Sequence, residues 1–227
     1  MKGKVFAVTG IDTGIGKSVV TGLLARALQE QGRSVITQKI VQTGCTNEIA
    51  DDIVEHRRLM GIPLQEVDRE GITAPYIFPF PASPHLAASL AGATIDPMQL
   101  RRATFFLQKR YEIVLLEGVG GVLVPLTPDL LFADYIAQAG YAVLLVTSPR
   151  LGSINHTLLS LEACQWRGIT IRALFYNHFG YEDILIANDT RQLLTSYLHT
   201  CGIDAPIIDV ENGALSREGV ELLHQLF

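Results

Sequence analysis

Gly10-Ile11-Asp12-Thr13-Gly14-Ile15-Gly16-Lys17-Ser18 is the stretch on which the reading of this chain turns. Before it, residues 5–8 (Val-Phe-Ala-Val) form a short apolar run that stops at Thr9-Gly10, as a buried strand does. After it the period changes. Val19, Val20, Leu23, Leu24, Ala27 and Leu28 recur at helical spacing, and Gly32 marks a C-terminal stop. A strand, a glycine-rich turn and a helix in that order let successive backbone N–H groups curl round an anion. The helix N-terminus adds a partial positive charge.

Lys17 and Ser18 are the residue types that reach the β- and γ-phosphates of a nucleoside triphosphate and ligate Mg²⁺. The segment is a P-loop with one residue added, since five residues rather than four separate Gly10 from Gly16. Asp12, Gly14, Ile15, Gly16, Lys17, Ser18 and Val19 are therefore the candidate nucleotide-binding residues.

Outward from the loop, apolar runs alternate with helical patterns. Strands are expected at residues 35–37, 113–116, 142–146, 171–175 and 207–210. Helices are expected at 49–60, from Asp96-Pro97 onward, from a Ser153 cap to about residue 167, at 184–198 and at the C-terminus. Residues 62–84 hold most of the prolines and read as irregular. Strands that are apolar throughout imply a parallel sheet covered by helices on both faces. The expectation is one α/β domain over residues 1–227 with a P-loop NTPase-like parallel sheet. Ligands in such sheets sit beyond the carboxyl ends of the strands, so the polar residues there matter most.

Composition narrows the function classes. The 227 residues are 48% hydrophobic and 18% charged, with a formal net charge of −5. No basic stripe offers itself to nucleic acid or an anionic membrane. No apolar run approaches the roughly 18–20 residues that span a bilayer. Cys45, Cys164 and Cys201 are far apart and form no metal or redox motif. Met-Lys-Gly-Lys leads straight into the first strand, which predicts no secretory leader, and the sparse thiols predict a cytoplasmic address.

At the expected strand ends, Lys39 with Thr43-Gly44 points at the same phosphates as Lys17. Glu117 ends a run of Ile-Val-Leu-Leu and precedes Gly118, Gly120 and Gly121. A carboxylate after so buried a run needs a partner, and Mg²⁺ opposite Ser18 suits a hard oxygen donor. Asp51 and Asp52 open a helix, where they complement its dipole or join the metal. Leu151-Gly152-Ser153-Ile154-Asn155-His156 opens another helix whose free N–H groups suit a carboxylate. His85 and His156 have no carboxylate in register and read as structural or binding groups.

These segments together resemble dethiobiotin synthetase. The resemblance runs from the first strand to about Asn177. It rests on the Gly10 to Ser18 loop, Lys39 with Thr43-Gly44, Ser83-Pro84-His85, Glu117-Gly118-Val119-Gly120-Gly121, the 151–156 segment and Asn177. It implies a homodimer that uses MgATP and CO₂ to close a ureido ring on 7,8-diaminopelargonic acid. Lys17 and Lys39 would hold the γ-phosphate and the substrate carbamate, with Thr13 and Thr43 lining that site. Ser18, Asp52 and Glu117 would bind Mg²⁺. Gly118, Gly120 and Gly121 would border the substrate, and Gly152, Ser153 and Asn155 would reach the tail carboxylate of substrate on the neighbouring subunit. Asn177 would read the adenine edge. The chain departs from the family pattern at Ile40, at His178 and across residues 205–210.

Two other readings share the P-loop. A partition-type nucleotide switch carries a further lysine early in the loop, where this chain has Asp12, and its membrane forms end in a basic helix. Residues 211–227 instead carry Glu211, Glu218 and Glu221 against Arg217. A stand-alone amidoligase acting on another carboxylate is the second.

Overall fold

In chain order the elements are β1 (Lys4–Gly10), α1 (Lys17–Glu30), β2 (Val35–Lys39), β3 (Gln42–Thr43), α2 (Asp51–Met60), α3 (Glu66–Arg69), β4 (Ile77–Phe78), α4 (Pro84–Leu90) and α5 (Pro97–Gln108). There follow β5 (Ile113–Gly121), β6 (Pro125–Thr127), β7 (Leu130–Leu131), α6 (Phe132–Ala139), β8 (Ala142–Thr147), α7 (Ser153–Trp166), β9 (Ile171–Asn177), α8 (Ile184–Thr200), β10 (Ile207–Glu211), β11 (Ala214–Leu215) and α9 (Arg217–Leu226). They come from a computed structural model that describes residues 2–181 and 183–227.

The main sheet has seven strands in the order β11-β10-β9-β8-β1-β5-β2. All its pairings are parallel except that of β10 with β11. The apolar runs explain this. Val114, Leu115 and Leu116 on β5 and Val143, Leu144 and Leu145 on β8 are fully buried, as strands covered on both faces must be. The chain enters at β1, with β5 on one flank and β8 on the other, so the strand order reverses there. That reversal opens a crevice at the carboxyl edge, and the loop leaving β1 lies in it.

Two local choices set the crevice walls. On α1, Val20, Leu24, Ala25 and Leu28 are buried. Its Gly22 lets α2 approach closely, since a Cβ there would lie 2.7 Å from Leu59 Cδ1. On α5, Asp96 caps the first turn by accepting from Met98 N–H at 2.8 Å, with Pro97 next, as its sequence predicts.

Several expectations need correction. Strand β5 does not stop at Glu117 but runs on to Gly121, because β1 continues beside it and pairs Gly10 with Gly121. Ser153 does not cap α7. Gly152 does so with φ 88°, and Ser153 is the first helical residue. Asp51 rather than Ile49 begins α2, and α3 and β4 lie within the stretch read as irregular. The turn into α3 is closed by a capping box between Gln65 and Asp68. Residues 35–37, 171–175 and 184–198 are cores of longer elements.

Candidate active site

The loop between β1 and α1 turns on Gly14 (φ 69°) and Gly16 (φ 94°), both in the left-handed region that favours glycine. A Cβ at Gly16 would also sit 2.2 Å from Asn177 Nδ2, so the loop is seated directly on the end of β9. No side chain caps α1 at Gly16, leaving its first N–H groups facing the crevice. Lys17 folds back across the loop and donates to the Asp12 carbonyl at 2.8 Å. Burial, and then the like charge of Lys39, push the Lys17 ammonium down to about 8. Asp12 is gripped by Arg150 and accepts from the Thr13 N–H at 2.7 Å, and both contacts hold its carboxyl below the usual range.

Opposite the loop, β2 and β5 end side by side, with Lys39 in register with Glu117. Lys39 Nζ donates to Glu117 Oε1 at 2.7 Å and to the Gly118 carbonyl at 2.9 Å, and lies 2.6 Å from Asp52 Oδ2. Its three N–H donors are thus all committed. Ser18 Oγ donates to the same Glu117 Oε1 at 2.9 Å. Burial alone would raise the Glu117 carboxyl, but the Lys39 charge and the hydrogen bonds from His56 and Lys39 outweigh it and hold it ionised far below the usual carboxylate range. For Lys39, burial pulls the ammonium down, and Glu117 and Asp52 together carry it above its ordinary value.

Asp52 is the member of the acidic pair that faces the cluster. Asp51 is exposed and accepts from Asn47 Nδ2 at 2.8 Å. Asp52 and Glu117 therefore meet at one ammonium group, with the Ser18 hydroxyl bonded to Glu117, an all-oxygen donor set of the kind that suits Mg²⁺.

Thr13, Lys17, Ser18, Lys39, Thr43 and Asp52, with Glu117 and Gly120, border one cleft of about 430 Å³. Gly118 lies against the Phe132 ring, where a Cβ would come within 2.3 Å. Gly121 borders an adjoining cleft of about 440 Å³ with Ile11, Asp12, Leu123 and His156. On the other side of the loop, Gly14, Ile15, Val19, Asn177, Phe179 and Tyr181 line a cavity of about 370 Å³. Asn177 Nδ2 donates to the Ile15 carbonyl at 3.0 Å, and its Oδ1 accepts from Phe179 N–H at 3.2 Å.

Gly152, Ser153 and Asn155 are not among the residues bordering the phosphate cleft of their own chain. Ser153 Oγ is buried without a hydrogen-bond partner, while Gly152 and Asn155 are exposed. His85 and His156 each carry a buried Nδ1 without a partner.

The sequence reading missed His56, Arg57, Thr37, Asp68 and Arg150. The signal for the first two lay in the spacing Ile53, His56, Arg57, Met60, which places both polar residues on the apolar face of α2; all four are buried. His56 Nε2 lies 2.6 Å from Glu117 Oε2, and its Nδ1 lies 3.0 Å from Thr37 Oγ1. Arg57 donates to Thr37 Oγ1 at 2.7 Å and holds Asp68 through Nε and Nη2 at 2.9 and 2.8 Å.

Comparison with known proteins gives a consistent result. The profile of a family described as an AAA domain matches residues 4–207. The chain is 60% identical over 223 residues to the ATP-dependent dethiobiotin synthetase BioD of Chlorobaculum tepidum, covering 98% of this chain and 93% of that protein. It is 48% identical over 195 residues to ATP-dependent dethiobiotin synthetase BioD 2 of Pasteurella multocida, covering 86% and 91%. Among solved structures, a ParA family ATPase from Chlorobium tepidum superposes with a TM-score of 0.52 at 16% identity, covering 98% of this chain and 90% of that one. The signal recognition particle receptor FtsY of Elizabethkingia anophelis, in complex with GDP, gives 0.55 at 16% identity, covering all of this chain and 64% of that one. At such identity these two likenesses concern the fold alone.

Proposed function

The chain belongs to the ATP-dependent dethiobiotin synthetases, and from that premise we propose how its own residues close the ureido ring. It is a ligase of biotin biosynthesis that uses ATP to form dethiobiotin. In the proposed sequence, one amine of 7,8-diaminopelargonate adds to CO₂ and loses a proton, giving a carbamate. A carbamate oxygen attacks the γ-phosphorus, and ADP leaves. The second amine attacks the carbonyl of the resulting carbamic–phosphoric anhydride, phosphate departs, and the ring closes.

The obstacle is bringing an anionic carbamate against a triphosphate. Backbone N–H groups of the loop and Lys17 hold the phosphates, and Lys39 offsets the charge of the carbamate and the γ-phosphate. Thr13 and Thr43 border the same cleft and orient the carbamate. Gly120 keeps that wall free of a side chain, Gly121 does the same for the adjoining cleft, and Gly118 lets the strand pack on Phe132 behind them. No protein nucleophile is needed, because positioning and charge do the work. Ser18, Asp52 and Glu117 would hold Mg²⁺, which would supply further neutralisation of phosphate charge. The observation that carries this reading is the cluster of buried Lys39 and Glu117 with half-buried Asp52, tied by Ser18 to the loop at 2.9 Å.

Asn177 is assigned to the adenine edge, supported by its place between Ile15 and Phe179 in the cavity beside the loop. Gly152, Ser153 and Asn155 are assigned to the tail carboxylate of a substrate held by a second copy. The unpartnered Ser153 hydroxyl and the N-terminus of α7, which no side chain caps, support this. The exposed Leu123, Leu151 and Leu159 support a homodimer at that face. Among the described residues no helix is long and apolar enough to cross a membrane. A cytoplasmic address is part of the same proposal, supported by the three free cysteines.

The test is incubation with diaminopelargonate, bicarbonate and MgATP, followed by mass spectrometry for the cyclic urea. The wild-type chain should yield it. Lys17→Ala should yield none while keeping its circular dichroism and melting cooperativity. Undiminished product from that variant would remove the phosphate role from Lys17.

A further inference from the structure

The geometry points to His56 as a positioning residue that fixes the rotamer of Glu117, so that Oε1 alone is presented to Ser18, Lys39 and the metal. The inference deepens the reading of Ser18, Asp52 and Glu117 as a Mg²⁺ site and rests on it.

The argument is a count of protons in a buried chain of groups. Glu117, His56 and Thr37 are fully buried, and Arg57 and Asp68 nearly so. Water is thus remote, and unmatched donors or acceptors are costly. Arg57 can only donate. It gives two bonds to Asp68, which fixes its plane, and one to Thr37 Oγ1. The Thr37 hydroxyl proton then points to its remaining neighbour, His56 Nδ1, at 3.0 Å. With Nδ1 accepting, the ring proton sits on Nε2 and is donated to Glu117 Oε2 at 2.6 Å. Each group in the series is thus bonded to the next, and Arg57 spends further N–H groups on the Thr37 carbonyl and Met60 Sδ, both at 3.4 Å.

The far end of the series is the site itself. With Oε2 held by the ring, Glu117 cannot swing both oxygens toward a cation, and it enters the crevice through the oxygen that already meets Ser18 at 2.9 Å and Lys39 at 2.7 Å. Outer partners of ligating carboxylates act in this way, and their removal typically weakens metal affinity by about 10–100-fold.

The experiment measures Mn²⁺, in place of Mg²⁺, binding to the full chain with ADP by electron paramagnetic resonance, alongside the Mg²⁺ dependence of turnover. His56→Leu should weaken Mn²⁺ binding by about 10–100-fold and raise half-saturating Mg²⁺ in parallel, with kcat at saturating Mg²⁺ largely restored. His56→Gln, whose amide nitrogen falls near the position of Nε2, should recover most of the affinity. His56→Asn, a methylene shorter, should behave like His56→Leu. If the leucine variant fails to fold, the glutamine and asparagine variants decide, and equal affinity in the two overturns the proposal. A folded His56→Leu that binds Mn²⁺ and ADP like wild type also overturns it. Glu117→Gln separates the two layers. If it loses the metal while His56→Leu keeps it, the role of His56 falls alone. If it keeps the metal, the metal reading falls and takes the His56 proposal with it.

Discussion

Lys17 sits where its charge is disfavoured until an anion arrives. Its ammonium titrates near 8 in the fold, against 10.5 for a free lysine. Between those values the unfolded chain binds more protons than the folded one, so this group makes stability rise with pH across that window. Lys17→Met should flatten the rise, as measured by urea unfolding at a series of pH values. Bound phosphates favour the charged form. Nucleotide binding above the Lys17 value should therefore draw in a proton, visible by calorimetry in buffers of different ionisation enthalpy and lost in Lys17→Met. Lys39 poses the opposite problem, because it separates Asp52 from Glu117. Lys39→Met leaves two carboxylates facing each other and should cost about 3–5 kcal/mol. Mg²⁺ should restore part of this loss, so the melting temperature of the variant should gain more from Mg²⁺ than that of wild type. Equal gains would take Asp52 and Glu117 out of the metal site.

At the scale of elements, the strand that carries Glu117 is held from both sides, by β1 and by β2. Its glycine-rich continuation lets α6 press against it. Gly118→Ala would drive a methyl group into the Phe132 ring and should cost about 1–3 kcal/mol by overpacking, read from urea midpoints. The sequence made the loop and the alternation of elements legible, because strands covered on both faces are continuous apolar runs and helices are periodic. The extension of β5 was hidden, since a carboxylate followed by glycines has the look of a strand end, and only pairing with β1 carries it onward. The choice between Asp51 and Asp52 was hidden too. Neighbours on a helix face different ways, and the approach of α2 to α1 over Gly22 decides which one meets Lys39. Asp68 was illegible for a further reason: a charged group on so short a helix reads as solvated, and its pairing with Arg57 exists only once α3 folds against α2.

At the scale of the whole molecule, Leu123, Leu151 and Leu159 lie exposed, and they mark the face proposed above for a second copy. Leu159→Glu should lower the sedimentation mass at micromolar concentration and raise KM for the diamine, with nucleotide binding unaffected. A variant that sediments and turns over like wild type would place the contact elsewhere. The series from Asp68 to Glu117 has a consequence of another kind. Each member saturates its neighbour, so none can be exchanged by itself without stranding a polar atom away from water. Over evolutionary drift, positions 37, 56, 57 and 68 should consequently change as a block, and relatives that have lost the imidazole should have lost the hydroxyl and the guanidinium in the same step.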